Sequence, residues 1–250
     1  MRLNALRLQS IAAFAMLLPV AAQAADLTVS AAASLTNAFK ELAHSFEAAH
    51  PGNKVLLNFA ASDPLVQQIA KGAPVDVFAS ADQEAMDKAD GLKLLAAGTR
   101  RDFVSNSVVL IVPTDSALRS LDELKGPAVK RITTGNPASV PIGRYTQEAL
   151  AKNGLWSALE PKFVFGTSVR QSLDYVARGE ADAGFVYATD VMAQKDKVKA
   201  VLTVPTTTPV RYPIAVLANA PQPQLARQFA DYAASGTGQA ILVKYGFGKP

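Results

Sequence analysis

Hydrophobic and polar positions follow two alternating rhythms along this chain, one of strands and one of helices. LTVSA (27–31) is a short β-rich run, and the TNAFKELAHSFEAAH that follows carries Phe39, Leu42 and Phe46 at helical spacing. KVLLNFA (54–60) predicts a second strand, and PLVQQIAKG predicts a helix that Gly72 terminates. VDVFAS (75–80) predicts a third strand, with DQEAMDKADGLKLLAAG helical around its internal glycine. The order β-α-β-α-β-α predicts a parallel sheet with helices on both faces.

A second round opens with the strand SVVLIVP (107–113) and continues through RITTG (131–135), the helix IGRYTQEALAKNG and the strand KFVFG (162–166). The helix VRQSLDYVARG, the strand DAGFVY (182–187) and the strands VLTVP and RYPIAVLAN complete it. QPQLARQFADYAAS and TGQAILVKYGF close the chain as helices. Two βα rounds predict two lobes, and SVVLIVP and RYPIAVLAN are the natural crossings because each opens or closes the second round. The expected division is a discontinuous lobe I (25–105 plus 212–250) around a continuous lobe II (106–211).

Composition narrows the chemistry. The 250 residues include no cysteine, which excludes disulfide scaffolds, thiolate metal sites and cysteine nucleophiles. The two histidines, His44 and His50, leave little for a metal site or a Ser-His-Asp triad, and both read as solvated surface residues. Charged residues are 18% and the formal net charge is +4, with no basic run of the kind nucleic acid requires. Half of that net charge belongs to residues 1–24. There Arg2 and Arg7 precede the apolar run Ile11–Val20, and Ala22-Gln23-Ala24 forms an A-x-A cleavage site. This pattern predicts a cleaved secretion signal, too short in its apolar core to span a bilayer, and hence a periplasmic protein.

In open α/β sheets, ligands sit beyond the carboxyl ends of the strands, where first-turn N–H groups and the helix dipole attract anions. Ser34 follows the first strand at an expected N-cap, and Ser62 follows the second. In the other lobe, Pro141-Ile142-Gly143 and Val169 mark helix starts, and Tyr187 ends a strand. Each has an ordinary explanation when taken alone, since capping serines stabilise helices by about 1 kcal/mol without any ligand. The recurrence at matching junctions of both halves singles them out.

The same residues carry a resemblance. AAASLTNAF, F-A-x-S-x-x-L-x-x-QI-x-x-GAP-x-D-x-F-x-SAD (59–82), N-P-x-x-VP-x-G-x-Y (136–145), VR-x-x-L-x-x-V-x-x-GEADAG-x-VY-x-TD (169–190) and YGF (245–247) resemble the periplasmic molybdate-binding proteins of bacterial ABC importers. The likeness runs in order along nearly the whole chain after residue 24. It implies an α/β, two-lobed type II periplasmic-binding fold, each lobe a mostly parallel sheet flanked by helices, closing on one tetrahedral oxyanion. It also implies a ligand, molybdate or tungstate, and a partner, the membrane permease. The ligand contacts implied are Ser34 and Ser62 through hydroxyl and N–H, Ile142 and Val169 through backbone N–H, and Tyr187 through its phenol. The molybdenum is then held as its oxyanion, without direct bonds between protein and metal. Relatives often carry a small residue where Ile142 stands, which a backbone donor tolerates. They usually carry Gly or Ser where this chain has Asp63.

Three function classes follow. A receptor dehydrates the dianion with neutral donors and works as a monomer without catalysis. A receptor for phosphate or another partly protonated oxyanion needs an acceptor, a role open to Asp63. A secreted serine hydrolase is opposed by the lack of G-x-S-x-G and of a base. For Asp63 itself, Pro64 suits a first helical position, which predicts that Asp63 caps the helix PLVQQIAKG and turns away from the cleft.

Overall fold

The computed structural model describes residues 25–250, and the expected secretion signal lies outside them. Its strands are β1 (Asp26–Ala32), β2 (Lys54–Ala60), β3 (Val77–Ala79), β4 (Arg101–Asn106), β5 (Val108–Pro113), β6 (Ile132–Gly135), β7 (Phe163–Gly166), β8 (Ala183–Tyr187), β9 (Val198–Val204) and β10 (Val210–Val216). Its helices are α1 (Thr36–Ala49), α2 (Ser62–Ala70), α3 (Gln83–Gly91), α4 (Pro141–Lys152), α5 (Trp156–Leu159), α6 (Val169–Ala177), α7 (Ala188–Val191), α8 (Pro223–Ala234) and α9 (Gly236–Lys244).

The strands form two five-stranded sheets, ordered β2-β1-β3-β10-β4 and β7-β6-β8-β5-β9. In each sheet four strands run one way and one is reversed: β10 in the first, β5 in the second. Each reversed strand is the one by which the chain enters that sheet from the other. The two connections run side by side, since Asn106, Ser107, Pro205, Thr206 and Pro209 line one groove.

Burial explains the elements. Helix α1 turns Phe39, Leu42 and Phe46 inward, where they are fully buried. Phe46 meets Phe229 of α8 edge to face at 5.2 Å, and Phe39 packs on Phe103 of β4 at 5.9 Å. Truncating such a ring to Ala costs about 3–5 kcal/mol. Asp76, also buried, fastens the first sheet by accepting N–H bonds from Thr28 (2.8 Å) and Gln222 (2.6 Å).

Two local expectations fail. Helix α3 stops at Gly91 and does not continue to residue 98; Leu92 caps it and Lys93 adopts a left-handed conformation (φ 57°). Leu94 and Leu95 then pack on an apolar cluster beside α2 and α3, and Leu95 pairs with Leu217 as an isolated bridge. Tertiary burial of two leucines outweighs the helical propensity of LKLLAAG. His50 is not simply solvated: its ring stacks on Phe46 at 4.1 Å and its Nδ1 lies 3.0 Å from the Phe46 carbonyl oxygen, whereas His44 is exposed.

Candidate functional site

The carboxyl ends of the parallel strands of both sheets point at one another across a cleft. Ser34, Ser62, Ile142, Val169 and Tyr187 all line a single small cavity there. Ala32, Ala33, Ala61, Ala81, Val140 and Pro141 complete the wall. None of these residues carries a formal charge.

Each junction presents its donor in a different way. Ser34 is not an N-cap: it sits in a single 3₁₀ turn (Ala33–Leu35) between β1 and α1, with no capping hydrogen bond. Its Oγ is 2.9 Å from the Tyr212 hydroxyl of β10, and that hydroxyl accepts from Asn106 Nδ2 at 3.3 Å. Either hydroxyl of the Ser34–Tyr212 pair can be the donor; where Tyr212 donates, the Ser34 O–H is left to donate into the cavity. Ser62 is the first residue of α2, after the N-cap Ala61, and its Oγ accepts the Ala81 N–H at 3.1 Å. That acceptance likewise leaves the Ser62 proton available.

In the second sheet's half, Val140 caps α4, Pro141 is its first residue and Ile142 its second. Gly143 is required there, because a Cβ at that position would collide with the Gly135 carbonyl and the Pro137 nitrogen. Val169 opens α6 after Ser168, whose side chain accepts the Gln171 N–H. First-turn amides such as those of Ser62, Ile142 and Val169 have no acceptor in their own helices. Tyr187 ends β8, and its phenol donates to the Ala81 carbonyl at 3.4 Å, from the opposite side of the cleft. Burial raises the Tyr187 and Tyr212 phenols well above their ordinary pKa, so both remain neutral donors.

Beside this neutral cavity runs a charged seam. Arg144 Nη2 lies 2.6 Å from Asp82 Oδ2 and 2.7 Å from Asp63 Oδ2, and Arg144 Nε lies 3.2 Å from Glu84. The second Asp63 oxygen accepts from Lys88 Nζ at 2.7 Å. The expected cap role of Asp63 is therefore wrong. Helix α2 begins two residues earlier than Pro64 implies, and two cations draw the carboxylate to the seam instead. It does turn away from the cavity, whose wall does not include it. Burial raises the Asp82 carboxyl, against the opposing pull of Arg144. On the other flank Arg170 Nε is 2.7 Å from the buried Asp190.

Tyr212, Asn106 and Ala81 escaped the sequence reading. A tyrosine within RYPIAVLAN reads as core, and no periodicity shows that its hydroxyl meets a residue far away in the chain. Among the described residues, no cluster of three or more His, Asp or Glu suited to a metal ion exists.

Comparison with known proteins agrees with this architecture. Residues 27–248 match the family described as bacterial extracellular solute-binding protein. The chain is 38% identical over 232 residues to the molybdate-binding protein ModA of Escherichia coli, covering 88% of each. It is 36% identical over 232 residues to the molybdate-binding protein ModA of Haemophilus influenzae, covering 90% of this chain and 91% of the relative. The solved Azotobacter vinelandii periplasmic molybdate-binding protein shares the fold with a TM-score of 0.77 at 24% identity, covering 90% of this chain and 99% of that one. No helix among the described residues is long and apolar enough to cross a membrane. A two-lobed α/β fold with a neutral cleft and relatives that match nearly end to end make this chain a bacterial extracellular solute-binding protein of the ModA family.

Proposed function

We propose that this protein captures molybdate, or tungstate of nearly the same size and charge, between its lobes and delivers it to the permease of an ABC importer. One observation carries the reading: hydroxyls and free helix-start amides from both sheets converge on a small cavity whose lining holds no charged side chain. Ser34 and Ser62 supply hydroxyl and amide donors, Ile142 and Val169 supply amides, and Tyr187 supplies its phenol, whose proton turns from the Ala81 carbonyl to the ligand. Oriented dipoles and helix N-termini provide the partial positive charge that replaces the dianion's water.

Lobe I is taken as residues 25–105 plus 212–250 and lobe II as 106–211, joined by the two adjacent connections, which act as the hinge. The leader, residues 1–24, directs export to the periplasm, where the chain works as a monomer without turnover. Cavity size favours molybdate over the smaller sulfate. Donor-only walls disfavour protonated phosphate, because a buried phosphate proton without an acceptor is costly. The acceptor that a phosphate receptor would need is not supplied by Asp63, whose two oxygens are held by Lys88 and Arg144.

Calorimetric titration of the mature chain with molybdate, tungstate, sulfate and phosphate tests this. Saturable binding of molybdate and tungstate, with sulfate and phosphate far weaker, is the expected result. Preference for phosphate, or no binding of any of the four, would overturn it.

A further inference from the structure

Two motif residues have no place in the donor set just described. Arg170 follows Val169 at the start of α6, and Asp190 lies in α7, three residues after Tyr187. Asp190 is completely buried. Its Oδ1 lies 2.7 Å from Arg170 Nε, and its Oδ2 accepts the backbone N–H of Tyr187 at 3.3 Å. The same guanidinium reaches over the cleft: Nη1 donates to Asn37 Oδ1 at 3.2 Å and Nη2 to the Ser34 carbonyl at 3.4 Å. Arg170 does not line the cavity, but with Asn37, Thr36 and Ser168 it lines the groove at its mouth.

A buried ion pair is a poor way to gain stability, because desolvation offsets most of the attraction and an apolar pair of similar volume serves as well. What an apolar pair cannot do is hold three cavity residues in one unit joined by an ion pair and hydrogen bonds. Asp190 fixes the backbone of Tyr187, Arg170 is the direct neighbour of Val169, and the guanidinium ends on Ser34. Two of those residues belong to the second sheet's half and one to the first, so the unit is complete only with the cleft closed. We infer that Arg170 and Asp190 are positioning residues that couple closure of the lobes to the geometry of the oxyanion cavity, an inference resting on the oxyanion-capture reading. Contacts that form after the ligand has entered slow its escape and leave its arrival nearly unchanged.

The test uses stopped-flow fluorescence and calorimetry with molybdate on the mature chain carrying Arg170→Lys, Asn37→Ala or both. Lysine keeps a cation for Asp190, so the fold is retained, but it cannot also span to Asn37 and Ser34. Arg170→Lys is expected to raise Kd about tenfold, nearly all of it in faster dissociation, with the ligand-free melting temperature close to wild type. Asn37→Ala, on the opposite lobe, is expected to act in the same direction by about threefold. The double variant should fall short of the product of the two, because both remove one bond. Wild-type dissociation rates in folded single variants, or a loss confined to association or to melting temperature, would overturn the coupling alone. If wild type binds none of the oxyanions, the capture reading fails and the coupling falls with it.

Discussion

Ser62 and Asp63 are neighbours in the chain, yet they belong to regions that use opposite polar chemistry. Ser62 faces a cavity walled by neutral groups, whereas Asp63 joins a seam in which Arg144 lies among Asp63, Asp82 and Glu84, with Lys88 behind. A cation inside the cavity would attract any dianion whatever its size. Fixed hydroxyls and amides reward only an anion that places its oxygens where the donors point. Charges therefore sit at the rim, where they hold the two halves together without taking part in selection. Two kinds of polar group do two jobs, and their sensitivities to salt and pH should differ.

The largest effect concerns the whole cleft. At molybdate about a thousandfold over its dissociation constant, linkage stabilises the protein by roughly 4 kcal/mol, seen as a higher melting temperature. The radius of gyration should fall on binding, and scattering curves unchanged at saturation would remove the closing hinge from the comparison.

Next come the neutral donors. Ser34→Ala and Ser62→Ala should each weaken molybdate binding by about 1.5–3 kcal/mol, roughly ten- to a hundredfold, because each removes a donor to a charged ligand. The loss should be similar at about 0.1 M and about 1 M salt, since it reflects a short-range bond inside a closed cavity. Ile142→Ala should stay within about threefold, as its proposed contribution is backbone N–H. A Ser62→Ala variant that binds like wild type in calorimetry would break the assignment of the cavity.

The seam is expected to respond more weakly and in the other manner. Asp63→Ser removes one carboxylate but leaves Arg144 with Asp82 and Lys88 with Glu84. It should weaken molybdate affinity by less than about 1.4 kcal/mol, a factor of ten, and the difference should shrink as salt screens the remaining charges. A tenfold gain in affinity, accompanied by loss of phosphate binding, would put Asp63 in the cavity after all.

The smallest effect is a slope. Burial raises the Asp82 carboxyl above the ordinary value of 3.8, with Arg144 opposing. The folded protein then keeps that proton longer than the unfolded chain does. Stability from this group therefore falls as pH rises from about 3.8 to the raised value, and is flat above it. Asp82→Asn, which preserves an N-cap for α3, should remove that slope in urea midpoints measured across acidic pH. A variant that keeps the wild-type slope would assign it to Asp190, the other carboxyl raised by burial.

Sequence and structure agree where the signal is local. Strands β1, β2, β5, β6 and β8 fall within a residue or so of the β-rich runs read from the chain, because apolar and β-branched residues bounded by turn residues mark a strand locally. Helix starts at Pro141 and Val169 are likewise visible in the chain. Strand β4, Arg101–Asn106, is not visible: four of the six residues in RDFVSN are polar, and it becomes a strand by pairing with β10. Capping was misjudged at Ser34 and at Asp63, where the side chain had a choice of partners. Ser34 found Tyr212, and Asp63 found Arg144, 81 positions along the chain.

By itself, then, the sequence determined the two βα rounds, the small hydroxyl and helix-start residues at the strand ends, and the motifs that carry the family resemblance. These depend on periodicity, turn chemistry and local order, all of which are written over a few neighbouring residues. Tertiary structure alone decided which partner each hydroxyl meets, where Asp63 points, and that Arg170 spans the cleft to Ser34. A hydrogen bond or ion pair between distant segments is settled by which charges and donors the closed fold leaves unpaired, and a buried polar group takes whichever partner the packing brings within reach.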